Sequence, residues 1–462
     1  MATPCRSDGL ANPALEGPVQ FRKTLRIQDL VLFGVICVTP TAPIPSFGIL
    51  QKLSHGQAVT AIAFAMLAML PTAFSYGSMA ARYPAAGAAY TYVSRGLHPH
   101  LGFLAGWATS LDYFLIPIAS VIYCSVTMHR VVPAIPYMLW AAFFATLSTY
   151  LNLRGIRTGV RANQLLLAIT TVVIVAVILL AMRYVSGEQG LTGLVSLAPF
   201  YQPAVFDIGT IATATSFAAL TYIGFDAVTT LAEEVENPTR NIARATVLVC
   251  LITGLVSILI VYLGQLAWPF YHEFRDFDTA FLDVSQRIGG GVLFTAVVIV
   301  LVLATFGSTL TGQAGGARLL FGMGRAGVLP QRLFAHLDAK SLQPNYNVWF
   351  VGLVAIVGAM LLSFERAAEL LNFGAFLAFM GVNLAAMRAA LIEWRAGATL
   401  KLLPVLVSLF GFLSCLGIWL SLPAPARRLG FAWMAIGVTY QVILTRGFRT
   451  TLGFAVGGSS NL

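Results

Sequence analysis

The stretch Val38-Thr39-Pro40-Thr41-Ala42-Pro43-Ile44-Pro45-Ser46 places three prolines within six positions of an otherwise apolar run. Proline lacks a backbone N–H, clashes with the preceding turn of a helix, and disfavours helical geometry in the residue before it. The apolar run over residues 28–50 therefore cannot form one continuous helix. The sequence predicts a helix that is broken at residues 39–42.

The composition shows in which environment this break occurs. Of 462 residues, 58% are hydrophobic and 10% are charged, whereas roughly a quarter are charged in soluble domains. Apolar stretches close to the ~20 residues that cross a hydrocarbon core recur along the chain. We predict an all-α polytopic membrane protein with twelve transmembrane helices. These cover residues 28–50, 57–80, 101–125, 137–153, 163–185, 207–231, 245–268, 291–316, 347–363, 369–387, 402–421 and 429–445.

The net charge of +10 is explained by topology. Most lysines and arginines fall in the segments that are cytoplasmic if the N-terminus is inside, as the positive-inside rule requires. Both termini are therefore expected in the cytoplasm, and the lipid bilayer, not nucleic acid, is the expected partner. Residues 1–24 are polar and contain no apolar core, so we expect no cleavable signal peptide. The five cysteines and six histidines show no metal-ligand spacing.

A second interruption is expected in span six. Residues 213–226 read TATSFAALTYIGFD, which is rich in Ala, Thr and Ser and carries Gly224 before an acid. Small residues are also typical of close packing between transmembrane helices, but the proline run five spans earlier favours a matching break. An unwound segment in a membrane is tolerated where it is buried or lines a cavity. Its free carbonyls and amides can hold an amine or a carboxylate.

Two acids fall well inside the predicted spans. Asp112 lies in span three and Asp226 follows the break in span six. A carboxylate in a membrane is costly, so each is a candidate functional group. Asp112 is interpreted either as the anchor of a cationic amine or as a structural carboxyl that ties span three to a neighbour. Asp226 is interpreted as a gating or proton-coupling group, with an interfacial helix cap as the alternative.

Four stretches together resemble the amino acid–polyamine–organocation (APC) permease superfamily. They are RYPAAGAAYTY (82–92), GFLAGW (102–107), GFDAVTTLAEEVENPTRNIARA (224–245) and GARLLFGMGRAGVLP (316–330). Within the superfamily the sequence resembles bacterial putrescine-importer-type permeases, in DLVLxG (29–34), the pair Thr39-Pro40, LDY (111–113) and GFDAVTTL (224–231). Two features depart from the family pattern: the proline run replaces the usual glycine-serine break, and Arg325-Ala326-Gly327 stands where Arg-Asp-Gly is usual.

The resemblance implies a LeuT-like fold, with a five-plus-five inverted repeat, broken helices one and six, and two additional C-terminal helices. The repeats then cover residues 25–206 and 207–400, and the last two helices cover 401–449. Residues 1–24 and 450–462 form cytoplasmic tails. The family also implies secondary active transport by alternating access in a bacterial inner membrane, without a cofactor other than the coupling ion.

The same resemblance implies a substrate site and a gate. The expected substrate-binding residues are Thr39, Pro40, Thr41, Ala42, Ser110, Asp112, Phe217, Leu220, Thr221, Tyr222 and Gly224. The expected coupling and gating residues are Asp226, Glu233, Ser308 and Thr309. The hydroxyl pair Ser308–Thr309 matches a sodium site of related transporters, although such residues also pack helices. The coupling ion stays open between H⁺, through Asp226 or Asp112, and Na⁺.

The expected activity is import of a putrescine-like amine or an amino acid. A sodium-coupled amino acid symporter and an exchanger on the same fold are the alternatives. A membrane enzyme would need a nucleophile–base pair or a metal cluster within the membrane, and a channel would need a selectivity motif. The sequence shows neither pattern, so we predict a transporter, not an enzyme.

Overall fold

The computed structural model describes residues 25–83, 88–155, 160–232, 234–325, 329–338, 343–397 and 402–449. Several predictions lie outside these residues. They concern Glu233, the tails 1–24 and 450–462, the centre of the 82–92 motif, and the Ala326-Gly327 departure from the family pattern.

The described residues contain fifteen α-helices, and a helix occupies each of the twelve predicted spans. They are α1 (Ile27–Val38), α2 (Pro43–Leu53), α3 (Ala58–Arg82), α4 (Ala88–Gly96), α5 (Pro99–Val131), α6 (Tyr137–Leu153), α7 (Val160–Gln189), α8 (Ile208–Ala218), α9 (Pro238–Ala267), α10 (Ala280–Arg325), α11 (Gln331–Phe334), α12 (Asn345–Leu361), α13 (Phe364–Arg395), α14 (Leu402–Leu420) and α15 (Ala424–Leu444).

By length and apolar composition, eight helical segments of the described chain could cross a membrane, or nine if α1 and α2 form one bent span. The exact number of twelve is therefore not established by this measure, because some helices, such as the 17-residue α12, are short. The polytopic all-α class is confirmed. Span eight begins after Gly290, as predicted: this residue has a non-helical φ of +62° and separates the span from a helical segment that starts at Ala280.

Both ends of the described chain lie on one side of the molecule, here called the termini face. Leu25 exchanges backbone hydrogen bonds with Glu234 and Glu236, just before α9. On the same side, Arg82 at the end of α3 pairs with Glu393 near the end of α13, at 2.8 Å. The opposite side, here called the far face, carries the end of α2 and the start of α13.

Small residues bring the central helices close together. Gly77 of α3 lies so close to the backbone of Ala243 in α9 that a Cβ atom would collide with it. Gly374 of α13 packs in the same way on the Ala108 carbonyl of α5. Such contacts are the usual basis of helix association in membranes, where lipid is as apolar as leucine. The frame made by α3, α5, α9 and α13 surrounds the interrupted helices.

Candidate functional site

The first break separates α1 from α2. Thr39 leaves the helix with φ +63°, and the axes of α1 and α2 differ in direction by 56°. Pro43 is the first residue of α2, a position where proline fits because no helical N–H bond is needed there. The Ser46 hydroxyl donates to the Ala42 carbonyl at 2.7 Å, at the start of α2. The predicted interruption of helix one is confirmed.

The second break lies in span six. After α8 the chain forms a 3₁₀ turn at Ala219–Tyr222, turns at Gly224 with φ +113°, and continues as 3₁₀ helix over Phe225–Leu231. Asn372 of α13 donates to the carbonyls of Ser216 and Phe217 at 2.7 and 3.4 Å. These carbonyls are at the end of α8, where intrahelical donors run out. The predicted interruption of helix six is confirmed.

The two breaks touch each other at Gly224. A Cβ atom there would lie 3.0 Å from the Cys37 carbonyl oxygen and 3.2 Å from the Val38 amide nitrogen. The positive φ also strains any L-residue with a side chain. Glycine is therefore required at this position for two reasons: the positive φ, and the close approach of the α1 backbone. The contact places the end of α1 beside the start of the 3₁₀ segment that carries Asp226.

Asp112 of α5 lies within electrostatic range of Asp226, which follows this crossing. In the described part of the chain, neither forms an ion pair with a lysine, arginine or histidine. The Asp112 Oδ1 atom is buried and has no hydrogen-bond partner among these residues. The centre of the bundle thus holds two carboxyl groups that have no cationic partner in the described protein.

Tyrosines from two helices line the same region. The Tyr76 hydroxyl of α3 and the Tyr113 hydroxyl of α5 each lie within electrostatic range of both Asp112 and Asp226. Tyr113 is 41% exposed and packs on Gly315 of α10, where a Cβ would stand 2.8 Å from its ring. Tyr76 is fully buried. A polar ligand at the crossing would therefore meet aromatic hydroxyls as well as carboxylates.

The predicted substrate-binding residues divide by exposure. Thr41, Ser110, Phe217, Thr221 and Tyr222 are buried, whereas Thr39, Pro40, Ala42, Leu220 and Gly224 are partly exposed. The Ser110 and Thr221 hydroxyls donate to carbonyls of their own turns, those of Trp107 and Ala218.

Tyr222 and Leu220 differ in their surroundings. The Tyr222 hydroxyl donates to the Ile62 carbonyl of α3 at 3.0 Å, so this polar group is used between helices. Leu220, by contrast, is partly exposed in the 3₁₀ turn. The assignment of these side chains to a substrate wall stays a prediction.

The expected coupling residues lie on separate elements. Ser308 and Thr309 are in α10, and their hydroxyls donate to the carbonyls of Ala304 and Thr305 at 3.3 and 3.2 Å. Ser308 is partly exposed and Thr309 is fully buried. Their role in binding an ion stays a prediction, as does the gating role of Asp226.

Sequence reasoning did not assign Tyr76, Tyr92, Tyr113 or Asn372 to the site. Tyr92 belongs to the 82–92 motif and Tyr113 directly follows Asp112, so both were within quoted family patterns. Tyr76 lies in an Ala- and Ser-rich helix without any local signal of function. Asn372 is distant in sequence from the break it supports, and only the packing of α13 on α8 shows the connection.

Comparison with known proteins adds three kinds of similarity. Residues 44–440 match the family model described as amino acid permease. The chain is 32% identical over 433 residues to the low-affinity putrescine importer PlaP of Escherichia coli (strain K12), covering 93% of this chain and 95% of that protein. It is 26% identical over 451 residues to the methylthioribose transporter of Bacillus subtilis (strain 168), with coverages of 92% and 94%.

A further relative and a solved structure complete the comparison. The branched-chain amino acid permease BcaP of Lactococcus lactis subsp. cremoris is 25% identical over 449 residues, covering 90% of this chain and 93% of that protein. The crystal structure of MhsT in complex with L-phenylalanine aligns with a TM-score of 0.61 at 15% identity, over 88% of this chain and all of MhsT. At this identity the match shows a shared fold, which confirms the expected LeuT-like class. The repeat boundaries at 206 and 400 stay predictions.

Proposed function

Because this chain belongs to the amino acid permease family of the APC superfamily, we propose that its substrate is a small amine of the putrescine type. The chain is an APC-family transporter and an integral membrane protein, not an enzyme. We further propose import across a bacterial inner membrane by alternating access, with the termini face in the cytoplasm as the positive-inside rule predicts.

The pair Asp112 and Asp226 carries the proposal of a diamine. These two carboxylates from different elements lie within electrostatic range of each other, and neither has a cationic partner in the described protein. A diamine carries two ammonium groups, each of which forms strong charge-assisted hydrogen bonds with a carboxylate. An α-amino acid would bring its own carboxylate into this negative region. The name of the PlaP relative, a putrescine importer, agrees with the charge argument.

We propose H⁺ as the coupling ion, with Na⁺ at Ser308 and Thr309 as the alternative. Carboxylates that lose a cationic substrate inside a membrane need another positive charge, and a proton supplies one. In this scheme a proton replaces the released substrate at Asp226 or Asp112. Uptake into proteoliposomes separates the ions: we expect an imposed pH gradient, not a sodium gradient, to drive putrescine accumulation.

Binding to the purified full chain tests the substrate class. The panel is putrescine, cadaverine, spermidine, and aliphatic, aromatic and basic amino acids, measured by ligand-induced thermal stabilisation. We expect putrescine to stabilise the protein and Asp112→Asn to weaken its affinity at least about 30-fold, because a buried charge loses its partner. An α-amino acid that binds equally well to wild type and Asp112→Asn would contradict the diamine assignment and leave the transporter in place.

A further inference from the structure

Tyr76 of α3 is held in one orientation by aromatic side chains from three elements. Its ring meets Tyr92 of α4, Phe225 of the 3₁₀ segment and Phe379 of α13, with centroids 6.0, 5.5 and 5.6 Å away. All three contacts are edge-to-face, with interplanar angles from 81° to 88°, the arrangement that aromatic quadrupoles favour. The position of the hydroxyl group is therefore fixed by the packing of the ring.

The Tyr76 hydroxyl has no hydrogen-bond partner among the described residues, although the side chain is 0% exposed. A buried polar group without a partner lowers stability. Among the groups that interact electrostatically with this hydroxyl are Asp226 and Asp112. Phenylalanine would fill the same space without the unpaired oxygen. Packing alone thus explains the aromatic ring but not the hydroxyl.

Asp112 Oδ1 is a second buried oxygen without a hydrogen-bond partner in the described chain, and Asp112 also interacts electrostatically with Tyr76. A primary ammonium group has three N–H donors and no acceptor, whereas a tyrosine oxygen can accept a hydrogen bond. An ammonium group held at Asp226 can therefore also satisfy the Tyr76 hydroxyl, because the Tyr76 ring packs on Phe225, the residue before Asp226. A carboxylate ligand would satisfy only the hydroxyl and would be repelled by both acids.

We propose that the Tyr76 hydroxyl is a specificity-determining contact that accepts a hydrogen bond from the substrate ammonium group bound by Asp226. This inference rests on the proposed amine substrate and adds a neutral third group to the two carboxylates. It assigns to α3 a direct part in recognition, although the proline and glycine breaks lie in spans one and six. The second ammonium group of a diamine is then left to Asp112, whose Oδ1 has no partner among the described residues.

The test compares Tyr76→Phe with wild type in the purified full chain, using isothermal titration with putrescine. Tyr123→Phe is the matched control, because Tyr123 is also a fully buried tyrosine with an aromatic neighbour, Phe364 at 5.4 Å, on the helix that carries Asp112. We expect Tyr76→Phe to weaken putrescine binding about 10-fold or more, the loss typical of a hydrogen bond to a charged group. Tyr123→Phe should leave the affinity unchanged.

The melting temperature without ligand provides the second readout. Tyr76→Phe removes an unpaired hydroxyl and keeps the ring, so the unliganded protein should be as stable as wild type or more stable. Equal putrescine affinity in Tyr76→Phe and wild type overturns the assignment of Tyr76 and leaves the amine transporter intact. A loss of affinity that accompanies a lower melting temperature also overturns it, since the hydroxyl is then structural. Failure of wild type to bind any amine overturns the proposed function itself.

Discussion

The carboxylates at the centre of the bundle differ from three carboxylates at the far face, each of which has a cationic partner. At the far face, Asp283 pairs with Arg130 at 2.5 Å, Glu369 with Arg366 at 3.2 Å and Glu365 with Lys52 at 3.7 Å. At the centre, Asp112 and Asp226 have no such partner within the described residues. Asp278, also at the far face, has no ion pair among the described residues and so does not belong with these three.

This difference distinguishes carboxylates that stabilise the fold through ion pairs from carboxylates that can bind a ligand. A buried charge that served only stability would be expected to have a partner, since isolation in a low-dielectric region is costly. Two neighbouring carboxylates without a cationic partner in a membrane protein indicate instead that a cationic ligand binds to them. The comparison predicts opposite consequences when a central acid and a far-face acid are neutralised.

The largest expected effect comes from Asp226→Asn. If Asp226 holds a substrate ammonium group, putrescine affinity should fall about 30-fold or more, because one charge partner of a buried pair is removed. The melting temperature without ligand should stay the same or rise, because an unpaired charge is removed. Titration calorimetry and thermal unfolding of the purified chain measure the two quantities.

Asp283→Asn is the matched control at the far face. It removes the partner of Arg130, so we expect the free energy of unfolding to fall by about 1–3 kcal/mol, the usual loss for a hydrogen bond to a charged group. Putrescine affinity should not change. If both variants lose stability and both keep their affinity, the distinction between central and far-face charges is wrong.

The second prediction concerns the contact of the two breaks. Gly224→Ala forces a Cβ atom to 3.0 Å from the Cys37 carbonyl at a backbone φ of +113°, which costs about 1–3 kcal/mol in conformation alone. Gly322→Ala in α10 is the control, because a Cβ atom there meets nothing within 4 Å. We expect a lower melting temperature for Gly224→Ala and an equal or higher one for Gly322→Ala. Equal stability of the two variants would contradict the close approach.

The breaks could be predicted because they arise from local chemistry. A single proline can be accommodated, as Pro71 and Pro117 are within α3 and α5, but three prolines within six positions predict the interruption at residues 39–42 from the sequence alone. Gly224 alone predicts a break in span six only weakly, because glycine also serves close helix packing. Its position five spans after the proline run favours the break. The helices themselves follow from apolar segment length, whereas the helical segment from Ala280 to the kink at Gly290, which precedes span eight, is not predicted.

The site could be predicted only in part, because its groups converge from distant segments. Asp112 and Asp226 stand out in a sequence, since a carboxylate inside an apolar span is conspicuous. Tyr76 and Asn372 do not, because neither tyrosine nor asparagine is conspicuous within its own helix. Their significance depends on three-dimensional neighbours, in one case two carboxylates and in the other the carbonyls of a broken helix.

The third prediction uses the pH dependence of the far face. Burial, together with the nearby carboxylates of Asp276 and Glu365, raises the pKa of Asp278 to about 6 from its ordinary 3.8, although Lys52 opposes this rise. The folded protein thus keeps the proton to a higher pH than the unfolded chain does. The contribution of Asp278 protonation to the stability of the folded protein is therefore fully present below about pH 4 and is lost as the pH rises through about 6.

Asp278→Asn should therefore stabilise the protein at pH 7.5, where wild type holds a partly buried negative charge. We expect a gain of about 1–2 kcal/mol, reduced from the full value of the pKa shift because Asp278 is partly exposed. The gain should shrink as the pH falls and vanish near pH 4. Thermal unfolding in detergent across this range measures it, and a gain that does not vary with pH would contradict the assignment.

The smallest effect is expected from the ion pair that joins α2 to α13 at the far face. Lys52 Nζ and Glu365 Oε2 are 3.7 Å apart, and their side chains are 49% and 27% exposed. Exposed pairs contribute little, because solvent and salt screen them and two long side chains lose freedom. Glu365→Gln should lower the free energy of unfolding by less than about 1 kcal/mol, and high salt should abolish the difference. Putrescine affinity that fell as far in Glu365→Gln as in Asp226→Asn would show that the far face, and not only the centre, holds the substrate.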